Sequence, residues 1–138
     1  MSSSPNFLDA SGWIALLNRT ESNHAEANRI WRDLGRMRVT SFVTDWVVAE
    51  TGNGLARTRG RELFAQSVRV FLTSPNIRLV YVDGELLTKA LGLYEARPDK
   101  GWGLVDCASF VVMREQGIQT ALTSDHHFEQ AGFRPLLK

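Results

Sequence analysis

Short apolar segments and amphipathic segments alternate along the chain, and this alternation restricts the fold more than any other feature. The apolar segments are rich in aliphatic and aromatic residues, as buried β-strands are. The segments between them carry apolar residues at helical spacing. Strands that alternate with helices pair in parallel through crossover connections. The sequence therefore predicts an α/β fold, a three-layer α/β/α sandwich with a mainly parallel central sheet.

The predicted strands and helices place two acids at strand ends. The predicted strands cover residues 6–9, 39–42, 77–82, 119–122 and 133–136. The predicted helices begin near Ser11 and Thr44, cover 22–37, 60–72, 84–96 and 102–116, and include a short turn near His126. Functional groups of such sheets collect beyond the C-terminal ends of the strands, where both Asp9 and Asp125 are expected.

Length and charge define the broad class of the protein. The chain has 138 residues and a net charge of +1, which suits one domain, predicted over residues 1–138. Contact with nucleic acid must then depend on local charge. The N-terminus lacks a signal-peptide pattern, and no apolar stretch approaches the roughly 20 residues of a membrane span. A single cysteine excludes an internal disulfide. We expect a cytoplasmic protein that does not contact membranes.

Four acids are candidate functional residues, and each has a simpler interpretation. Asp9 follows a buried strand and either serves a site or caps the next helix. Glu50 is expected on the buried stripe of its helix, shared with Val43, Val47 and Gly54, where it needs a partner, a metal or a raised pKa. Its alternative is a salt bridge with a residue such as Arg57.

The other two acids lie later in the chain. Asp106 belongs to an apolar helix and is either a site residue or a first-turn acid that favours the helix dipole. Asp125 follows a predicted strand beside two hydroxyl residues, and it either serves a site or starts a short helix.

The four acids together indicate a metal site. Carboxylates that converge without matching lysines repel each other unless cations hold them together. Ligation by oxygen alone favours a hard ion, Mg²⁺ or Mn²⁺. Such an ion activates water and stabilises charge on a phosphate, which is the chemistry of phosphodiester hydrolysis.

Residues around the acids have weaker signals. Arg57, Arg59 and Arg61 follow the Glu50 helix and could contact an RNA backbone on the same rim as the acids, and Lys100 has a similar position near the Asp106 helix. A solvated basic turn is their alternative. Asp99 is more typical of a loop or capping acid than of a metal ligand. The adjacent His126 and His127 point about 100° apart in a helix and are expected to face solvent.

Four strings in the sequence resemble one protein family. They are FLDASGWIALL, TDWVVAETGNGL, DKGWGLVDCASFVVM and ALTSDHHFEQAGF, and they run through nearly the whole chain. Each string is weak alone, but their order and spacing resemble the PIN domain, and within it the VapC-type toxins of type II toxin–antitoxin systems. The resemblance implies an acidic constellation of Asp9, Glu50, Asp106 and Asp125.

The resemblance also implies features that spacing alone does not give. Ser11 and Thr123 match small polar positions near the site, and Asp99 matches an acid that often precedes the Asp106 segment. The implied function is endonucleolytic cleavage of RNA by a homodimer that a small antitoxin protein inhibits. The alternatives are an RNA- or protein-binding module without catalysis, and an Asp-based phosphatase or phosphoacceptor domain, although the first acid lacks the DxD pattern of such phosphatases.

Overall fold

The computed structural model describes residues 4–137, and its centre is one sheet of five parallel strands. The strands are β1 (Asn6–Leu8), β2 (Ser41–Thr44), β3 (Ile77–Val80), β4 (Thr120–Leu122) and β5 (Arg134–Pro135). Their order in the sheet is β3-β2-β1-β4-β5, and every neighbouring pair is parallel. The predicted fold class is confirmed. Residues 1–3 and 138 of the predicted domain lie outside the described residues.

Helices cover the sheet in two groups. The helices are α1 (Ala10–Leu17), α2 (His24–Arg36), α3 (Asp45–Leu55), α4 (Gly60–Thr73), α5 (Gly84–Ala96), α6 (Leu104–Gln116) and α7 (His126–Gln130). Helix α1 packs against α2, α3 and α4, whereas α6 packs against α5 and α7. This separation produces the outer layers of the sandwich. None of the helices described between residues 4 and 137 combines the length and apolar character that a membrane crossing requires.

The core lies on both sides of β1 and β4, because these central strands are covered by helices on each face. Every residue of β1 is buried, and so are Ala121 and Leu122 of β4. Aromatic rings fill the space around them: Phe128 of α7 lies 4.9 Å from the ring of Phe110 on α6 and 6.3 Å from that of Phe7. Buried apolar surface of this kind is the main stabilising contribution to the fold.

Two predicted boundaries were wrong in a way that matters for the site. The second strand lies at residues 41–44, two residues later than predicted, so Val43 belongs to β2 and not to the following helix. Thr44 ends the strand and caps α3, since its Oγ1 accepts a hydrogen bond from the Val47 amide at 3.1 Å. Helix α6 begins at Leu104, after Gly103, and not at Trp102.

The order in which strands are added to the sheet reverses between β1 and β4, although both strands run in the same direction. From β1 the chain proceeds outward to β2 and β3, and it then returns to the other side of β1 to form β4 and β5. Parallel sheets bind ligands at such a switch point, beyond the carboxyl ends of the two strands.

Gly12 allows α1 to lie directly against β4 at this point. A Cβ atom at Gly12 would be 2.0 Å from the carbonyl oxygen of Leu122. The absence of a side chain therefore brings the start of α1 into contact with the segment that follows β4.

Candidate active site

Asp9 occupies the switch point and is almost completely buried, at 4% exposure. It stands at the N-cap position of α1, but its side chain makes no capping hydrogen bond there. Its Oδ2 instead accepts hydrogen bonds from Thr123 Oγ1 at 2.8 Å and from Ser11 Oγ at 3.1 Å. The carboxylate is therefore fixed by two side-chain hydroxyl groups, and the simpler interpretation of Asp9 as a helix cap is wrong.

Backbone amides hold these two hydroxyl groups in turn. Ser11 Oγ accepts from the Ser124 amide at 3.1 Å, and Thr123 Oγ1 accepts from the Asp125 amide at 3.0 Å. The two oxygens are 2.9 Å apart. Each oxygen accepts from one amide and has one hydrogen to donate, so both hydroxyl hydrogens can point to the same oxygen of Asp9. Ser11 and Thr123 thus lie beside Asp9, and the resemblance had placed both residues near the site.

Asp125 and Asp106 lie at the starts of two other helices. Asp125 caps α7, because its Oδ1 accepts from the His127 amide at 2.9 Å. Asp106 is in the first turn of α6, and its Oδ2 accepts from the Gly103 amide at 3.3 Å. Both acids therefore have the helix-starting role that was their simpler interpretation, and the structure also brings both to the carboxylate cluster.

Glu50 lies on α3 and corrects one prediction. The buried residues of α3 are Val47, Thr51 and Leu55, whereas Glu50 is exposed. The predicted stripe was wrong because it was anchored on Val43, which is in β2. Its alternative partner is also absent, since no ion pair joins Glu50 to Arg57 in the part of the chain that the structure describes.

The electrostatics of the four acids show that they converge. Burial raises the pKa of Asp9 to about 6, opposed by the Thr123 hydrogen bond and supported by the charge of Asp106. Partial shielding of the Glu50 carboxyl from water raises its pKa to about 7, and the charges of Asp9, Asp106 and Asp125 add to this. Burial also raises the pKa of Asp106, with Asp125 contributing in the same direction. The pKa values of Asp9, Glu50 and Asp106 are therefore raised by burial together with the charges of neighbouring acids.

His127 corrects a second prediction. It was expected to face solvent, but its Nδ1 lies 3.2 Å from Asp106 Oδ2 and 3.4 Å from Asp125 Oδ1, and its side chain is 24% exposed. The neighbouring His126 does face solvent, with a side chain that is 72% exposed. Helical spacing alone could not reveal this, because in a helix of five residues the packing of the next residue, Phe128, determines which side faces the cluster.

The remaining predicted residues lie outside the cluster. Asp99 is exposed and accepts hydrogen bonds from Arg97 at 3.1 and 3.0 Å, and this pairing lowers its pKa. Lys100 is partly buried next to it. The structure therefore gives Asp99 a loop ion pair and not a contact with the four acids.

The three predicted RNA-contacting arginines lie beyond the C-terminal end of α3, and all of them are exposed: Arg57, Arg59 and Arg61. Arg57 follows Leu55, the last residue of α3, by two positions, and Arg59 immediately precedes α4. Their contact with RNA on the rim of the acids stays a prediction. Arg61 also donates to the Ala56 carbonyl at 3.0 Å.

The donor set fits a hard divalent cation. Four carboxyl groups would provide oxygen ligands, and a bound cation would offset the burial and the neighbouring charge that raise the pKa values of Asp9, Glu50 and Asp106. The described side-chain hydrogen bonds to Asp9 all use Oδ2. Histidine nitrogens lie beside Asp125 as well. One potential ligand atom from each of Asp125, His126 and His127 lies within 4.8 Å of the other two.

Comparison with known proteins identifies the protein family that has this fold. The PIN domain family matches residues 7–134, and the chain belongs to this family. It is similar to the 23S rRNA-specific endonuclease VapC20 of Mycobacterium tuberculosis, with 32% identity over 127 residues, which is 92% of this chain and 94% of the relative.

Solved structures lead to the same family. The crystal structure of M. tuberculosis VapC20, described as a sarcin–ricin loop cleaving toxin, matches with a TM-score of 0.84 and 28% identity over 96% of this chain and 99% of that chain. Two complexes bound to DNA share the fold at 14% identity. VapBC2 from Rickettsia felis has a TM-score of 0.65 over 94% of this chain and 96% of that one. VapBC from Salmonella typhimurium has a TM-score of 0.66 over 96% and 97%. The predicted resemblance to VapC-type toxins is confirmed, and the endoribonuclease that it implied agrees with the activity in the name of VapC20.

Proposed function

We propose that this protein is an endoribonuclease that hydrolyses RNA phosphodiester bonds with Mg²⁺ or Mn²⁺ held by Asp9, Glu50, Asp106 and Asp125. The observation that carries the proposal is the convergence of these acids beyond the ends of β1 and β4, where burial and neighbouring charge raise the pKa values of Asp9, Glu50 and Asp106. The activity named for VapC20, an endonuclease specific for 23S rRNA, supports RNA as the substrate.

The residues of the chain prepare the site for the reaction. When bound, a divalent ion supplies positive charge that makes water a stronger nucleophile and stabilises charge on the phosphate. Ser11 and Thr123 hold Asp9 in one orientation. Binding a cation would therefore cost less conformational entropy than it would at a freely rotating carboxylate. The raised pKa of about 7 leaves the Glu50 carboxyl partly protonated near neutral pH, and Glu50 would have to lose that proton to hold a cation.

Basic residues around the cluster would bind the RNA backbone. Arg57, Arg59 and Arg61 are exposed, and Lys100 precedes the helix that carries Asp106. The arginines would contact phosphates of the RNA backbone away from the cleaved bond and so position the substrate. Replacement of Arg57 and Arg59 by Ala should weaken RNA binding and reduce the slope of log K against log salt by about 1 for each lost phosphate contact.

The physiological proposal is that of a toxin. The VapBC complexes that share this fold, together with the VapC20 toxin, support a small antitoxin protein as partner. A homodimeric assembly and a cytoplasmic location stay predictions from the resemblance to VapC-type toxins. We include the whole sequence, residues 1–138, in the single PIN-like domain that carries out the function.

The decisive experiment is RNA cleavage by the purified protein. The substrates are 23S rRNA, a hairpin that contains the sarcin–ricin loop, and an unrelated structured RNA, each with Mg²⁺, Mn²⁺ or EDTA. The variant Asp106→Asn keeps the size of the side chain but loses its charge. The matched control is Asp33→Asn, since Asp33 is an exposed acid on α2 whose ion pairs are with Arg29 and Arg36.

The outcomes separate the proposal from its alternatives. Metal-dependent cleavage that Asp106→Asn loses and Asp33→Asn retains would support the nuclease. RNA binding without cleavage by folded, partner-free protein would indicate a binding module. Release of phosphate from a phosphomonoester, lost in Asp9→Asn, would indicate phosphatase chemistry instead.

A further inference from the structure

His127 connects two helices that carry acids of the cluster. It is the second residue of α7, and its backbone amide donates to Asp125 Oδ1 at 2.9 Å. Its side chain turns back to the same carboxylate, with Nδ1 3.4 Å from Asp125 Oδ1, and reaches Asp106 Oδ2 on α6 at 3.2 Å. One ring nitrogen therefore lies between carboxylates that are 19 residues apart in the sequence.

The chemistry of these contacts determines which nitrogen carries hydrogen. An ionised carboxylate only accepts hydrogen bonds, so a contact between Nδ1 and two carboxylate oxygens requires hydrogen on Nδ1. This N–H donates to Asp106 Oδ2 at 3.2 Å, and the same nitrogen lies 3.4 Å from Asp125 Oδ1. The partial positive charge of this N–H lies between the two carboxylates and reduces their repulsion.

The packing of α7 does not depend on this contact. Phe128 is fully buried, and its ring packs against those of Phe110 and Phe7. The Asp125 cap and the buried Phe128 side chain hold α7 on the core without the His127 ring. The polar end of His127 is therefore available to act on the carboxylates and not on the fold.

We propose that His127 is a positioning residue for the metal site, whose Nδ1–H sets the separation and orientation of the Asp106 and Asp125 carboxylates before a cation binds. This inference rests on the proposed function. Groups that orient metal ligands through hydrogen bonds commonly change metal affinity or activity by about 10- to 100-fold when removed. His127 has the geometry of such a group, whereas His126, its neighbour on the same helix, is largely exposed.

Amide side chains allow a sharp test, because Asn presents an N–H close to the position of imidazole Nδ1 and Gln presents one close to Nε2. His127→Asn should keep the affinity for Mn²⁺ close to that of wild type. His127→Gln and His127→Phe should lose about 10- to 100-fold. The control Asp33→Asn, at an acid of α2 that pairs with Arg29 and Arg36 outside the cluster, should leave the affinity unchanged. The affinity is measured by titration calorimetry with Mn²⁺ alone, and circular dichroism establishes that each variant is folded.

Two further measurements separate a positioning role from a structural one. Nitrogen NMR of the metal-free protein should show His127 with hydrogen on Nδ1. In RNA cleavage, His127→Phe should raise the Mn²⁺ concentration for half-maximal rate more than it lowers the rate at saturating Mn²⁺.

Each contrary result has a distinct meaning. Equal Mn²⁺ affinity in wild type and His127→Phe, equal rescue by Asn and Gln, or hydrogen on Nε2 alone would overturn the positioning role and leave the nuclease intact. Failure of wild-type protein to bind Mn²⁺ would instead overturn the proposed metal site itself.

Discussion

Replacement of Asp9 by Asn should stabilise the metal-free protein, because this carboxylate is ionised in a place that disfavours its charge. Burial raises the pKa of Asp9 from 3.8 to about 6 in the folded chain. The folded state therefore holds the proton more tightly than the unfolded state does. The contribution of this bound proton to the free energy of unfolding is fully present below about pH 3.8, and it is lost progressively as the pH rises through about 6.

The size of the effect follows from the shift. A change of one pKa unit corresponds to about 1.4 kcal/mol, so a shift from 3.8 to about 6 costs the folded state about 3 kcal/mol at pH 8. About half of that cost is already present at pH 5, where the unfolded carboxyl is ionised and the folded one is not. Asp9→Asn removes the charge but keeps the shape, and the Ser11 and Thr123 hydroxyl groups can turn to accept from its amide.

Urea denaturation at pH 5 and pH 8, with EDTA, measures the prediction. The free energy of unfolding of wild type should fall between these pH values, and Asp9→Asn should exceed wild type by about 1–3 kcal/mol at pH 8. Saturating Mn²⁺ should remove the advantage of the variant, since it stabilises only the chain that binds it. The control is Asp99→Asn, because Arg97 lowers the pKa of Asp99 and its removal should not stabilise the fold. An Asp9→Asn variant that is no more stable than wild type at pH 8 would refute the reasoning.

Three other predictions test the surroundings of Asp9. Thr123→Val should destabilise the protein by about 1–3 kcal/mol in urea denaturation, because it removes a hydroxyl that donates to the carboxylate, and Thr123→Ser should stay close to wild type. The affinity for Mn²⁺ should rise from pH 6 to pH 8 in calorimetry, because Asp9 and Glu50, with pKa values of about 6 and about 7, must lose protons to bind it; a flat profile would contradict this. Gly12→Ala should lower the melting temperature strongly, since its Cβ would lie 2.0 Å from the Leu122 carbonyl oxygen; an unchanged melting temperature would show that α1 can shift without cost.

Sequence reasoning could place Asp9 and Asp125 because their positions depend on one kind of pattern. Each follows a short apolar run, and in parallel sheets the carboxyl ends of such runs meet at one edge. The order of the strands was not needed for that conclusion. Asp106 was found in a similar way, as an acid in the first turn of an apolar helix.

The errors arose where tertiary packing, and not local pattern, decides the geometry. Because Val43 was assigned to the helix, the predicted buried face of α3 included Glu50. In the structure Glu50 is exposed, and only its carboxyl group is partly shielded from water. His127 was missed because a five-residue helix has no periodicity of its own to reveal which side faces inward. The signal that could have found it is Phe128, an apolar residue directly after the histidines that must enter the core.

The arrangement of the site has a consequence for stability that the sequence pattern alone does not show. The groups that hold Asp9 also keep it out of water, so the orientation that suits a cation raises the energy of the empty carboxylate. The pKa values of Glu50 and Asp106 are likewise raised by shielding from water and by neighbouring charge. A divalent ion that binds only the folded state would therefore stabilise it, and removal of that ion should lower stability most at alkaline pH, where Asp9, Glu50 and Asp106 are ionised.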